Sequence, residues 1–483
     1  MISWQQKVLN VPLHLSQYGL VLGLCCSAAL VSVAKVDAAE LDEGVYKQDA
    51  ATSSANVDMA DYYDLIYQIR VVARNAGSKS SIGSGFQVSA DGLIITNYHV
   101  VSMAVDSPET HNIEYLDQAG NSGPLQLLDF DVVNDLAVLR HPAPAARHFE
   151  IAGSQNAETV VQSEAVEVVN DDPISSAGAG VPSREVNGVE KGDMIYALGN
   201  PHDLGITLKL GAFNGIVEHS YNPQILFSGS LNPGMSGGPG LLANGSVIGV
   251  NVATAGSDLS FLVPASAMLA LIDAGRTLSP EDYLSEIASQ VLDWQERRYG
   301  DLLAKEWNRV AFGDWPALDE IRFDMQCWGS SNEDEDDLSI VVLSKGCDSG
   351  NRLYLGSGFN TGHIHYSFFQ RRSVKLSPLR FHATTSNSMY PDNSGDDTKL
   401  SGFDCQSGFV NVVASDEAVS SGSVTTSLCI RAYVELPDLF DVLLLATQGT
   451  DTESYTAHFA LAGVPKDLAD QFTRKFFATL GWQ

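Results

Sequence analysis

From residue 65 to residue 264 the apolar positions come in short runs broken by Gly, Asn and Asp turns, the rhythm of many successive strands. Leu65-Ile-Tyr-Gln-Ile-Arg-Val-Val-Ala73 opens the series, Leu93–Ile95 reads as a buried strand, and Leu136–Leu139 is another. Phe261-Leu-Val-Pro264 closes it, ahead of a short helix near Ala265–Ala274. The period then changes. Ser279-Pro-Glu-Asp282 has a serine for the N-cap, proline at the first helical position and acids in the first turn. The helix it starts is predicted to run through Trp294 and Tyr299 to about Trp307, with Leu284, Ile287, Val291 and Trp294 on a buried face. Strands return from Asp314, most clearly at Leu338–Leu343, His363–Phe369, Phe409–Val413 and Leu428–Leu436, followed by the apolar run Asp438–Ala446. Lys466–Leu480 has the spacing of a closing amphipathic helix.

The first residues follow neither pattern. Lys7 precedes the apolar, small-residue stretch Gly19–Ala34, and Val36-Asp-Ala38 offers small residues at a cleavage site. A signal peptide over residues 1–38 is expected, with a flexible acidic segment at 39–60 and a periplasmic or secreted product. A retained anchor would need a longer apolar run, so no stable membrane anchor is expected. Lipidation at Cys25 or Cys26 would need a small residue before the cysteine, which neither has. The formal net charge of −31 argues against nucleic acid and anionic membranes as partners. Cys327, Cys347, Cys405 and Cys429 lie beyond the leader; in an exported chain an even number suggests two disulfides. Three pairings are open, and Cys327–Cys347 with Cys405–Cys429 closes the shortest loops. A four-cysteine zinc site would call for Cys-x-x-Cys spacing, which is missing.

Candidate chemistry centres on Leu231-Asn-Pro-Gly-Met-Ser-Gly-Gly-Pro-Gly240. Ser236 between glycines is an exposed hydroxyl, and the amides of Gly234 and Ser236 could converge as an oxyanion hole. A serine needs a base and an orienting acid. His99, in Thr96-Asn-Tyr-His-Val-Val101, is delivered by the Leu93–Ile95 strand to what reads as a loop. Asp135, in Asp131-Val-Val-Asn-Asp-Leu136, stands at the mouth of the Leu136–Leu139 strand, from which it can accept the imidazole Nδ1–H. Asp129 and Asp131 compete for that role.

Six short motifs in this order resemble the trypsin-fold serine proteases, the HtrA/Deg branch in particular. They are Gly83-Ser-Gly-Phe86, Thr96–Val101, Asn134-Asp-Leu-Ala-Val-Leu139, Ala197-Leu-Gly-Asn-Pro201, Asn232–Pro239 and Val247-Ile-Gly-Val-Asn251, and they cover roughly residues 62–272. The resemblance implies a mainly β protein: a chymotrypsin-like double six-stranded β-barrel, here with a second β-rich domain, a linking helix and a C-terminal helix. It implies His99 as general base, Asp135 as its orienting acid, Ser236 as nucleophile, Gly234 and Ser236 as oxyanion amides, protein or peptide substrates, and no cofactor. The expected division is a protease domain at 61–275, a linking helical segment at 276–313 and a β-rich C-terminal domain at 314–483, the last resembling no family. Met235 replaces the more usual Asn, Ser163–Lys191 is an insertion, and no PDZ-like module follows residue 275.

Two other readings of the chain compete with this one. Gly-Met-Ser-Gly-Gly also fits the nucleophile elbow of α/β-hydrolases, but that fold needs acid and histidine after the serine and alternating helices. His363, His365, His382 and His458 follow Ser236, yet the segment is flanked by strands. A binding or chaperone-like protein with an inactive protease fold is the rival from another class. Asn332-Glu-Asp-Glu-Asp-Asp337 lacks the spacing of a calcium loop, and His363 with His365 lack a third metal ligand in sequence.

In trypsin-like folds the residue six before the nucleophile floors the S1 pocket, here Ser230, with Leu231, Asn251 and Ala253 as further pocket residues. With no acid at the floor, cleavage profiling against a peptide library should favour small or medium apolar P1 side chains; strict Arg or Lys cleavage would contradict the assignment.

Overall fold

The computed structural model describes residues 59–144, 146–153, 188–200, 204–254, 259–385, 398–411 and 423–482. The expected leader (1–38), most of the 39–60 segment and residues 163–187 of the insertion lie outside these. In the first part, β1 (Ile66–Ala73), β2 (Lys79–Gln87), β3 (Leu93–Thr96), helix α1 (Tyr98–Asp106), β4 (His111–Leu116), β5 (Ser122–Pro124), β6 (Gln126–Asp131) and β7 (Leu136–Arg140) follow one another. The strands form an antiparallel sheet in the order β5-β4-β1-β2-β3-β7-β6. Strands β5 and β6 are separated in the chain by Leu125 alone yet occupy opposite edges, so the sheet curls into a half-barrel. Pro124, at the end of the three-residue β5, has no N–H with which to extend a ladder and close it. Seven strands thus stand where six were expected.

The second part closes fully. β8 (Met194–Gly199), β9 (Thr207–Ile216), β10 (Ile225–Phe227), β11 (Pro239–Leu241), β12 (Val247–Thr254) and β13 (Ser260–Pro264) make a six-stranded barrel, and α2 (Ala265–Asp273) follows. Ile66, Phe86, Ile95, Leu136 and Val138 of the half-barrel meet Leu198, Leu241, Val247, Val250 and Val263 of the closed barrel in one apolar cluster. This is the seam of a chymotrypsin-like pair of sheets.

Helix α3 (Tyr283–Ala304) begins after a single 3-10 turn at Pro280–Asp282. The Ser279 hydroxyl bonds the Asp282 carboxylate at 2.6 Å instead of capping a helix amide. The buried stripe runs Tyr283, Ile287, Val291, Trp294, Arg298. Leu284, expected on it, is 43% exposed, because it sits one residue, about 100°, around the helix from Tyr283.

The remainder comprises β14 (Arg309–Phe312), β15 (Trp315–Leu318), β16 (Met325–Ser331), β17 (Ile340–Ser349), β18 (Leu353–Gly356), β19 (Phe359–Thr361), β20 (Ile364–Ser373), α4 (Pro378–Thr385), β21 (Asp404–Asn411), β22 (Ser423–Ala432), β23 (Phe440–Gly449), β24 (Glu453–Val464) and α5 (Lys466–Leu480). Seven of these strands form one antiparallel sheet, β16-β17-β20-β24-β23-β22-β21. Its central strand, β24, lies in no expected run, because small and polar residues interrupt its apolar positions. The two disulfides are Cys327–Cys347 and Cys405–Cys429, the pairing expected. Each joins directly opposed residues and ties an edge strand to its inner neighbour.

Helix α5 covers one face of this sheet, with Phe472 and Phe476 against Phe459 at ring distances of 5.2 and 5.1 Å. On the sheet, His363 Nε2 lies 2.6 Å and His365 Nδ1 3.6 Å from Asp348 Oδ2, so the two histidines share a carboxylate. The hairpin of β18 and β19 stands outside the sheet and packs on the half-barrel. Leu353 and Leu355 join Val100, Val101 and Val105 of α1, Ile287 and Trp294 of α3, and Tyr433, Leu436 and Leu439 in one cluster. The turn from β19 to β20 passes Trp294 so closely that a Cβ on Gly362 would stand 2.6 Å from its ring, and Gly362 has φ +79°. Among the described residues no helix is long and apolar enough to cross a membrane.

Phe459 is fully buried between sheet and helix. Phe459→Ala should cost roughly 3–5 kcal/mol, read as a drop in the denaturation midpoint.

Candidate active site

Asn97 ends β3 extended, with φ −82° and ψ 150°, and the next residue starts α1. His99 therefore lies in the first turn of a helix and not in the loop expected from sequence. Its side chain and its backbone amide meet the same carboxylate: Asp135 Oδ2 is 2.6 Å from His99 Nδ1, and the His99 N–H donates to Asp135 Oδ1 at 2.8 Å. An ionised carboxylate only accepts, so Nδ1 carries the proton and Nε2 keeps its lone pair. Asp135 also places negative charge at the amino end of α1, where the helix dipole favours it.

Asp135 has φ +55°, a left-handed conformation that aspartate tolerates better than most residues. Its neighbours fix the turn. Asp131 Oδ1 accepts from the amides of Val133 and Asn134, both at 2.9 Å, and Asn97 Nδ2 donates to Asp135 O at 2.8 Å. Of the competing acids, Asp131 is thus spent on the turn. Asp129 is held by Arg276, with 2.8 Å from Nε and 2.9 Å from Nη2. Burial pulls the His99 pKa down, but the Asp135 charge and hydrogen bond outweigh it and leave the ring more basic than an ordinary histidine.

The serine loop is built from its backbone. The Met235 N–H donates to Asn232 O at 3.0 Å and the Gly238 N–H to Met235 O at 3.1 Å. Among the described residues the amides of Gly234 and Ser236, on either side of Met235, meet no acceptor. Gly234 has φ +93°. Met235 is fully buried in the closed barrel beside Ile195, Phe213 and Ile248, which gives the residue replacing Asn a packing role. Ser84 clamps the loop from β2: its N–H donates to Ser236 O at 2.7 Å and its hydroxyl to Gly234 O at 2.7 Å. Gly237, at φ +83°, leaves no room for a side chain, since a Cβ would stand 2.2 Å from Ser84 O and 3.0 Å from Asn97 N. The serine loop is thereby pressed against the residues that lead into His99. Ser236 Oγ donates to Val252 O at 2.9 Å, so its one proton is engaged there and not by the imidazole.

The expected pocket residues have mixed positions. Ser230 is partly buried, Leu231 is buried in the closed-barrel core, and Asn251 is fully buried with its amide on Leu198 O (2.9 Å) and Met235 O (3.4 Å). Ala253 lies on β12, and its side chain falls outside the described residues. Sequence reasoning missed the Ser84 clamp, whose only signal was a small residue between Gly83 and Gly85. It also missed Tyr354 of β18, whose ring stands edge-on to His99 at 6.1 Å.

Residues 83–250, which include His99, Asp135 and Ser236, match the family described as trypsin-like peptidase domain. This segment is a trypsin-like peptidase domain. A probable periplasmic serine endoprotease DegP-like of Brucella suis is 30% identical over 200 residues, 40% of this chain and 32% of the relative. Protease Do-like 1, chloroplastic, of Arabidopsis thaliana is 28% identical over 204 residues, 40% of this chain and 38% of the relative. The chain thus spans about a third of the length of the curated relatives it matches. A serine endoprotease structure from Yersinia pestis aligns at 22% identity and a TM-score of 0.32, covering 44% of this chain and 65% of that one.

In the peptidase domain the raised His99 pKa is open to direct measurement. An NMR titration of the ring should give a midpoint above that of an ordinary histidine. Asp135→Asn should move it below, because burial then acts unopposed.

Proposed function

We propose that this protein is a serine endopeptidase, with Ser236 as nucleophile, His99 as general base and Asp135 as the acid that orients it. The observation that carries the reading is the doubly bonded Asp135–His99 unit together with a loop whose Gly234 and Ser236 amides meet no acceptor among the described residues. In the reaction, rotation about the Ser236 side chain takes Oγ from Val252 O to His99 Nε2. As Oγ attacks the scissile carbonyl carbon, its proton passes to Nε2 and the carbonyl oxygen becomes an oxyanion held by the Gly234 and Ser236 N–H groups. Collapse breaks the C–N bond, and His99 returns the proton to the leaving amine. Water then repeats the sequence on the acyl-enzyme: His99 takes its proton, hydroxide adds to the ester carbon, and Ser236 Oγ leaves reprotonated. Asp135 stays ionised and stabilises the imidazolium formed at each attack.

The substrates proposed are proteins and peptides with small or medium apolar P1 residues, from the absence of an acid at Ser230. Residues 61–275 are proposed as the protease unit and 314–483 as a β-rich region joined to it by the 276–313 segment. An exported protein acting in envelope protein quality control or processing is the proposed setting, supported by the leader-like residues 1–38 and by relatives named periplasmic endoproteases. A second reading, a binding or chaperone-like protein with a latent site, is favoured by one observation: the Ser236 hydroxyl rests on Val252 O.

A fluorophosphonate probe separates the two. Stoichiometric labelling of Ser236, located by peptide mass and abolished in Ser236→Ala and His99→Ala, is expected of the peptidase; a folded, unlabelled protein supports the latent reading. Asp135→Asn should slow turnover about 10⁴-fold, since the imidazole loses the tautomer that leaves Nε2 free.

A further inference from the structure

The β18–β19 hairpin reaches His99 by two routes. The Tyr354 ring stands edge-on to the imidazole, with centroids 6.1 Å apart and planes at 79°. Its hydroxyl lies 3.4 Å from Ser102 Oγ, and that hydroxyl donates to His99 O at 3.1 Å. Ser102 has spent its proton on His99 O, so the Tyr354 hydroxyl is the donor of its pair. One tyrosine therefore touches both the ring and, through Ser102, the main chain of the same residue. The hairpin cannot drift from α1 independently. Tyr98 Oη donates to Leu355 O at 3.1 Å, and Leu353 and Leu355 are buried in the cluster that contains Val100, Val101 and Val105.

Asp135 fixes His99 at Nδ1 and at its amide, but a hydrogen bond at one ring atom leaves the imidazole free to tilt about that bond. The flank occupied by Tyr354 is where tilt would be resisted. Resting on the assignment of His99 as general base, we infer that Tyr354 is a positioning residue for that base, supplied to the peptidase domain by the β-rich region. It keeps Nε2 on the line between Ser236 Oγ and the leaving group while the ring gains and loses its proton. A displacement of about 1 Å at such a position can cost about 100-fold in rate. The β-rich region is then a constituent of the active site and not an appended module.

The test is the inactivation of the full chain by a fluorophosphonate probe, resolved into kinact and KI, with folding followed by circular dichroism and melting temperature. Tyr354→Leu should lower kinact about 10- to 100-fold with KI nearly unchanged. Tyr354→Phe, which keeps the ring and loses only the hydroxyl, should recover most of kinact. Phe359→Leu is the matched control. It loosens the same hairpin where Phe359 packs on Tyr433, and should lower the melting temperature while leaving kinact near the wild-type value. Equal kinact in wild type and Tyr354→Leu would overturn the inference, as would an equal loss in Phe359→Leu, which would assign the effect to hairpin loosening. If Tyr354→Leu does not fold, failure of Tyr354→Phe to retain kinact would overturn it and retention would support it. Failure of the wild type to label at all would instead overturn the peptidase reading itself.

Discussion

A single carboxylate organises the site. Asp135 accepts from the backbone amide of His99 with one oxygen and from its ring with the other, so it caps a helix and sets a tautomer at once. The left-handed turn that Asp131 holds swings Asp135 off the start of β7 and toward α1, and Asn97 ties the turn's backbone to the end of β3. The serine loop depends on the same junction, because Gly237 packs against the Asn97 amide and Ser84 reaches across from β2. Loss of the turn would thus disturb His99 and Ser236 together.

Helix α1 links this chemistry to the rest of the chain. Its apolar side lies in a cluster shared by the half-barrel, by Ile287, Val291 and Trp294 of α3, and by Leu353, Leu355 and Tyr433 from the β-rich region. Burial as well as the connecting segment joins the regions. The buried side of α3 is the seam, and Arg298 on that side bonds Gly362 O at the base of the hairpin.

Much of this was legible in the chain. Runs of apolar residues between turn residues marked the barrel strands, the bounds expected for Lys466–Leu480 are those observed, and Asp135 bonds His99 as expected, whereas the Ser236 hydroxyl bonds Val252 O. The failures have physical causes. The sequence suggests a loop at His99 because Asn97 caps α1 with no side-chain hydrogen bond and the helix has no acid in its first turn to announce it. Leu284 was assigned to the buried face because its spacing to Ile287 and Val291 suits either of two neighbouring stripes, and only packing chooses between them. Strand β24 escapes a pattern search since Thr456, His458 and Ala460, which alternate with its core positions Tyr455, Ala457, Phe459 and Leu461, are too small or polar to mark a strand. The roles of Ser84 and Tyr354 depend on contacts across 152 and 255 residues of chain, which no local pattern encodes.

The composition of the cluster around α1 has a consequence for the order of events as the chain is made. His99, Asp135 and Ser236 all precede the hairpin, and Tyr433, Leu436 and Leu439 emerge later still. A growing chain therefore holds these three side chains for a long interval while the helix that bears His99 lacks part of its apolar cover. Domains tend to fold as they emerge, but here the first to emerge must wait for the last. Completion of synthesis becomes the step that completes the apolar cover of α1, so a chain truncated before Tyr433 carries His99 on a helix with part of that cover missing.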